Sequence, residues 1–334
     1  MKKLKVGFTY DAKADYKLMS GDSADKFAEF DSEETISQIQ TALESSGHRI
    51  ERIGNVKSLL KKISRGERWD IVFNIAEGIC GRNRESQVPV VLEMFGIPYT
   101  GSDALTMGIT LDKAVAKMIV AHHSISTPRF IEIANKNDLI AGNFRLKFPL
   151  IVKPSEEGTS KGMSEDSIVF DSAHLKKRVI WIIEKYRQPA LVEEFITGSE
   201  FTVAVIENDP PVVLPPVQIA INGEKNLGYE FYTHKRVETN EVTYLCPAEI
   251  PDKLNKKLCR LAMDSFKALG IIDLCRIDIR VSENGVPYFL ECNPLPNLGK
   301  IDVFPLVAKA VGSSYNKILV RILNGALKRY GITK

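Results

Sequence analysis

The sequence predicts a mixed chain: a doubly wound parallel α/β unit over about residues 1–100, then α+β architecture to the end. Three observations predict it. Strand-like and helix-like runs alternate one for one through the first hundred residues, the pattern of βαβ units. Further on, several strand-like runs follow one another across short turns with helices between them, the pattern of antiparallel pairing. Finally, 334 residues exceed what one core supports, and at roughly 100–200 residues per domain two or three are expected.

Taken in order, Leu4–Thr9 reads as a strand. Asp31 is the expected cap of the next helix, with Glu34 as its capping-box partner. Ile36, Ile39 and Leu43 form that helix's apolar face and Gly47 ends it. His48–Ile53 is a second strand, Val56–Ser64 a short helix and Trp69–Ile75 a buried third strand. In such a unit ligands sit beyond the carboxyl ends of the strands, here Tyr10-Asp11 and Ala76–Glu85. The second carries Glu77, Arg82, Arg84 and Glu85, a polarity that a merely solvated loop would also show.

Gly96–Gly101 is a turn-rich crossing. Leu111–His122 is a helix carrying Lys113 and Lys117. Thr127–Ile133 and Phe148–Pro154 are strands, Ala173–Tyr186 a helix with Leu175, Val179, Ile182 and Ile183 on one side. Pro189–Phe195 and Glu200–Ile206 are strands joined at Thr197-Gly198. Residues 221–247 read as a long polar and aromatic loop, a length that in a compact domain is usually functional or disordered. Pro251 and Asp252 open a helix with Leu254, Leu258, Leu261, Phe266 and Leu269 on its apolar side. A strand pair over Cys275–Leu298 follows, turned by Glu283-Asn284-Gly285, and a last helix spans about 306–327.

Composition excludes several classes. The 45 basic and 42 acidic residues leave a net charge of +3, which is no polyanion footprint, so nucleic acid is not an expected partner. Five cysteines at 80, 246, 259, 275 and 292 form no C-x-x-C pair, which points to reduced thiols rather than a disulfide framework or a zinc site. The basic start turns polar too soon for a secretory leader, and no run approaches the ~18 apolar residues of a membrane span. A cytoplasmic protein without membrane contact is expected.

The chemistry-bearing pattern lies in the 275–298 strand pair. Arg276, Asp278 and Arg280 share one face, Ile277 and Ile279 the other. Pairing would bring Asp278 beside Glu291 and Asn293, hard oxygen ligands of the kind Mg²⁺ takes when it also holds nucleotide phosphates. Arg276 on the same face could stabilise an oxyanion. An amphipathic hairpin with a solvated face shows the same pattern. Upstream, the strand ending at Lys153 runs into Ser155–Gly162, small residues with two glycines and three hydroxyls whose amides can turn onto a phosphate. It is not a P-loop.

Taken together, GIPYTGSD (96–103), LDK (111–113), VKPSEEGTSKGM (152–163), VEEFITGSEFTVAV (192–205) and RIDIRVSENGVPYFLECNPLP (276–296) resemble the ATP-grasp ligases, most closely the D-alanine–D-alanine ligase branch. The resemblance implies an ATP-grasp fold behind an N-terminal pre-ATP-grasp α/β domain, divided at 1–103, 104–190 and 191–334. It implies ATP with two Mg²⁺ ions (or Mn²⁺ in their place), small amino-acid-like substrates and a homodimer. Lys113 and Lys153 would hold the phosphates under a loop of Gly158, Thr159 and Ser160. Glu193 with its neighbour Glu194 would meet adenine, and the backbone at Ile196 would read the ring edge. Glu200 would accept the ribose hydroxyls, and Lys235 would reach the γ-phosphate. Asp278, Glu291 and Asn293 would bind the metals, and Arg276 would stabilise the tetrahedral intermediate. The expected chemistry is ATP-dependent amide synthesis through an acyl phosphate, under a lid formed by 155–162 and 221–247. Strict D-alanine–D-alanine ligation, a kinase that stops at phosphoryl transfer and a nucleotide-binding module without activity are the alternatives.

The substrate end departs from the family. The Gly-Gly-x-Ser-x-Glu turn is Phe8–Lys13 here, with Asp11 or Asp15 as the available carboxylates. The family's His-Gly is Glu77-Gly78, the Tyr after the loop lysine is Arg236, and Lys300 stands near the place of a substrate-binding Ser. With Arg82 and Arg84 nearby, a substrate carrying an additional charge is expected.

Overall fold

The structure, a computed structural model, describes residues 3–20, 22–141 and 145–332. The chain opens with β1 (Lys5–Thr9), α1 (Glu33–Glu44), β2 (Arg49–Gly54), α2 (Val56–Ser64), β3 (Ile71–Asn74) and α3 (Gln87–Met94). β2, β1 and β3 form a parallel sheet in that order, as the strand–helix alternation predicts. The cap of α1 is Ser32, not Asp31: its Oγ accepts the Thr35 amide at 3.1 Å. Asp31 is instead held by backbone bonds to Asp11 and Lys13, and Glu34 accepts from Gln38.

Next come α4 (Ala104–Leu111), α5 (Lys113–His122), β4 (Phe130–Ile133), α6 (Asp138–Ala141), β5 (Leu150–Pro154), β6 (Ile168–Val169), α7 (Ser172–Tyr186) and β7 (Ala190–Glu194). Strands β4, β7, β5 and β6 make an antiparallel sheet in that order. α7 covers it with Leu175, Val179 and Ile182, the spacing that puts one stripe against a sheet.

The remainder comprises β8 (Gly198–Ile206), β9 (Val212–Val213), β10 (Val217–Ile221), α8 (His234–Glu238), β11 (Val242–Leu245), α9 (Asp252–Ala268), β12 (Leu274–Ser282), β13 (Pro287–Asn293), α10 (Phe304–Ala310) and α11 (Tyr315–Arg329). Its sheet runs β11-β10-β8-β12-β13, with β9 on β8. Residues 221–247 are therefore not one loop. β10 and β11 pair antiparallel across them, since Val242–Leu245 alternates well enough to extend the sheet, and α8 lies between. The expected single C-terminal helix is two, broken where Gly312 takes a φ of +64° and Ser314 caps α11.

One core joins the beginning and end of the chain. Val6 and Phe8 of β1, Ile36 and Ile39 of α1 and Ile318, Ile322 and Leu323 of α11 belong to a single buried cluster. The opposite face of the parallel sheet packs Val72 against Leu59, Val88 and Leu92 of α2 and α3. At about 1.5–3 kcal/mol per fully buried aliphatic side chain, these faces fix the first sheet with its carboxyl edge toward the two antiparallel sheets.

Candidate active site

A cavity of about 270 Å³ lies where the three sheets meet. Strand register delivers its floor. Asp278 pairs across the strands with Glu291, and Arg276 with Asn293, while Asp278 faces Thr202 and Arg280 faces Glu200 on the other side. Lys113 opens α5, and Lys153 leaves β5 one residue before its end. All of these except Thr202 line the cavity, as do Gly158, Thr159 and Ser160 of the 155–162 loop, Glu193 and Glu194 at the end of β7, Ile196 of the β7–β8 turn, and Glu77.

The cationic part is built around Glu193, only 1% exposed. Its two oxygens take Lys117 Nζ and Lys153 Nζ, each at 2.5 Å. Lys117, fully buried, also donates to Thr127 Oγ1 at 2.9 Å and to the Phe289 carbonyl at 3.3 Å. Burial pushes the Lys117 amine down to about 8 against the pull of Glu193. Burial pushes Glu193 up, but the two lysines outweigh it and hold the carboxyl below its usual range. Lys113 reaches Glu291 at 3.2 Å and the Glu157 carbonyl. Burial raises Glu291 too, yet Lys113 and Lys153 bring it down to about 2. Three lysines against two carboxylates leave this part of the wall positive, suited to an anion.

Beside it stands the carboxylate–amide group. Asp278 accepts from Thr202 Oγ1 at 2.6 Å and from Asn293 Nδ2 at 3.0 Å. Arg276 lies 3.3 Å from Asp278 and 3.1 Å from Asp302. Burial pushes Asp278 up to about 6; Arg276 opposes this and the neighbouring Glu291 adds to it. That residual repulsion between two carboxylates is what a divalent cation relieves, so the donor set fits Mg²⁺. No group of three or more His, Cys, Asp or Glu among the described residues is placed to hold a metal. Two carboxylates and an amide are a partial shell, the kind that Mg²⁺ completes with phosphate oxygens and water.

Arg280 organises the neighbouring wall. It pairs with Glu200 at 2.9 Å and donates to the carbonyls of Ile196, Gly228 and Glu230, each at 2.9 Å. The 155–162 loop carries two non-glycine residues at positive φ, Thr159 at +49° and Ser160 at +54°, a conformation that costs about 1–2 kcal/mol per residue. It is held by residues that the sequence pattern did not single out. Glu29 accepts from the Gly158 amide at 2.8 Å, from Lys161 at 2.6 Å and from Arg84 at 2.9 Å. Asp25 accepts the Gly162 amide and the Tyr186 hydroxyl, both at 2.9 Å. Glu29 and Asp25 precede the first helix in an irregular stretch with no periodicity to mark them; Lys117 had only its place one turn after Lys113.

Seven sequence-nominated residues lie off the cavity wall, among them the exposed Asp15 and Arg84, which Glu29 holds. Asp11 is buried, accepting the Gly78 amide at 2.9 Å and the Tyr16 hydroxyl. Arg82, with a side chain 62% exposed, pairs with Asp112 at 2.7 Å. Arg236 pairs with Glu230, and Lys235 sits on exposed α8. Lys300 is exposed, with its ammonium 5.6 Å from the Tyr315 ring. Each is taken by a nearer partner or turned to solvent in this arrangement.

Comparison with known proteins agrees with this architecture. The family model described as "D-ala D-ala ligase C-terminus" matches residues 119–324. An uncharacterized protein of Sinorhizobium fredii is 34% identical over 299 residues, covering 87% of each chain. The D-alanine–D-alanine ligase of Syntrophotalea carbinolica is 32% identical over 314 residues, covering 93% of this chain and 95% of its own. A crystal structure of D-alanine–D-alanine ligase from Bacillus anthracis superposes with a TM-score of 0.73 at 25% identity, covering 97% of this chain and 98% of that one. The VanG D-Ala:D-Ser ligase of Enterococcus faecalis shares the fold, with a TM-score of 0.73 at 20% identity and coverage of 97% and 100%. No helix among the described residues is long and apolar enough to cross a membrane.

Proposed function

The chain belongs to the D-alanine–D-alanine ligase family of ATP-grasp enzymes, and from that premise we propose that it joins two amino-acid-like substrates through an acyl phosphate. The observation that carries the reading is convergence. Lys113, Lys153, Asp278, Glu291 and Asn293, drawn from three separate stretches of the chain, line one cavity.

The chemistry follows from the arrangement. A carboxylate acylates poorly because its leaving group is oxide; transfer of the ATP γ-phosphoryl turns that into phosphate. Phosphoryl transfer needs positioning and charge neutralisation more than covalent help. Lys113 and Lys153 supply positive charge beside the phosphates, and Gly158, Thr159 and Ser160 cover them. Glu193 and Glu194 stand at the base, the Ile196 backbone at the ring edge and Glu200 at the ribose. Asp278, Glu291 and Asn293 would hold two Mg²⁺ ions, which neutralise phosphate charge when bound. Arg276, between Asp278 and Asp302, faces the place where an oxyanion forms on amine attack. Lys235 is 14 residues on from the end of β10 (from Ile221 to Lys235 the chain is irregular until α8), so it reaches the γ-phosphate only by movement of this segment, which with 155–162 would exclude water from the acyl phosphate.

We divide the protein into units 1–103, 104–190 and 191–334 and place it in the cytoplasm as a homodimer. Substitution of the family's His by Glu77 favours a substrate pair other than two D-alanines. The test is mass spectrometry of products after incubation with ATP, Mg²⁺ and pooled amino acids. ADP, free phosphate and a dipeptide-like amide are expected; a phosphorylated product without free phosphate marks a kinase, and unchanged ATP a binding module.

A further inference from the structure

The charged wall of the cavity does not balance. Glu29 and Glu157 are matched by Arg84 and Lys161. Glu193 and Glu291 are matched by the buried lysines, Glu200 by Arg280, and Glu194 by Arg129. Asp278 and Asp302 share Arg276. Three carboxylates on the same wall, Asp31, Glu77 and Glu85, have no side-chain hydrogen bond or ion pair with any described residue, and the cations in excess of the pairs just named, the exposed Lys13 and one of the three buried lysines that share Glu193 and Glu291, fall short of them. Glu85 is 7% exposed, so it is an unpartnered carboxylate with nine-tenths of its surface buried, lining a cavity. Burying a charge without a partner is costly, and water reaches this one only through the cavity.

All three carboxylates come from the carboxyl edge of the parallel sheet, Asp31 between β1 and α1 and the other two after β3. Arg82 and Arg84, which suggest a positively charged substrate face, are bonded elsewhere: the first is turned to Asp112 and the second is paired with Glu29, though its charge also bears on Glu85 and Glu77. The sign of the free charge is negative.

Resting on the ligase reading above, we propose that this wall recognises a cationic amino acid, one bearing a second ammonium or a guanidinium in addition to its α-ammonium. The α-ammonium of any amino acid answers one carboxylate. With Lys13 set against Asp31, whose carboxyl burial pushes up to about 7 against the pull of Lys13, a second positive group on the substrate answers the other. Burial holds Glu77 and Glu85 above the usual carboxylate range, with Glu85 adding to it at Glu77 and Glu29 adding to it at Glu85 against the pull of Arg84, a strain that such a ligand removes.

The experiment measures ADP release by the full chain with ATP and Mg²⁺ against D- and L-lysine, ornithine, arginine, alanine, serine and glutamate, singly and in pairs. At least one basic amino acid is expected to exceed alanine tenfold or more in kcat/KM. Glu85→Gln is expected to cut the basic-to-alanine ratio at least tenfold, mainly through KM; if that variant fails to fold, Glu77→Gln carries the same expectation. A preference for alanine, or a ratio unmoved in the folded variant, overturns the inference and leaves the ligase reading standing. Absence of ADP release with every amino acid and pair overturns both.

Discussion

Replacing Arg280 with methionine tests whether one buried guanidinium holds the cavity wall at Glu200 and Ile196 to the segment beyond β10. Arg280 is 2% exposed and Glu200 8%, and the four bonds that Arg280 makes, to Glu200, Ile196, Gly228 and Glu230, are each 2.9 Å long. Its guanidinium also lies 5.1 Å from the Phe195 ring centre. Removing one partner of a buried ion pair costs about 3–5 kcal/mol, because the other charge is left uncompensated. The three carbonyls belong to irregular backbone that can turn to water, so they add little to that figure. With about 2.1 cal/mol/K of unfolding entropy per residue, the 334-residue chain carries about 0.7 kcal/mol/K, and the melting temperature should fall by about 4–7 °C. Two further effects should accompany it: faster protease cleavage within 221–247 and a higher KM for ATP as Glu200 loses its orientation. Arg280→Lys keeps the charge but cannot serve four acceptors in one plane, so it should fall between. Calorimetry, limited proteolysis and initial rates read these three effects. A methionine variant that melts within 1 °C of the parent and is cut no faster would refute the reasoning.

Other expectations follow from the same wall. Glu85 has its carboxyl raised from the usual 4.5 to about 7 by burial, so the folded state binds its proton more tightly than the unfolded chain. Stability from this group is present below pH 4.5 and lost as pH rises to about 7; Glu85→Gln should therefore raise the melting temperature at pH 8, by about 1–3 kcal/mol of stability, with the gain shrinking toward pH 5. Lys153→Met leaves Glu193 with Lys117, so the fold should survive while KM for ATP rises roughly ten- to hundredfold, measured by initial rates. Asp278→Asn should lower kcat by about a hundredfold or more without loss of the folded circular dichroism signal. ATP with Mg²⁺ should slow cleavage of 221–247, and unchanged cleavage counts against that segment as a lid.

Much of this was legible because it depends on local pattern. Alternation across 276–280 marks two faces, and the structure puts Ile277 and Ile279 in the core and Arg276 and Asp278 on the cavity. The helix Val56–Ser64 is bounded in the sequence as in the structure. The misses have physical reasons. Val242–Leu245 is a strand only because β10 is there to pair with it, a long-range fact. Helices α3 and α4 show weak amphipathic patterning because apolar residues stand on their solvent side as well, Val90 and Met94 in α3 and Leu105 in α4. Glu29 is distinguished solely by what folds against it: Arg84, Gly158 and Lys161 lie far along the chain. Conversely, Arg82 and Lys300 looked suited to a substrate carboxylate from position alone, and nearer partners claim Arg82 while Lys300 faces solvent.

The shared core of β1, α1 and α11 bears on how the molecule is made. During synthesis the opening sheet leaves the ribosome with one apolar side covered by α1 alone, and α11, which completes that cover, begins about 240 residues after β3 ends. A nascent chain of the first hundred residues is thus a sticky intermediate rather than a finished unit. Its final docking closes the molecule end to end, and does so beside the sheet edge that carries Asp31, Glu77 and Glu85.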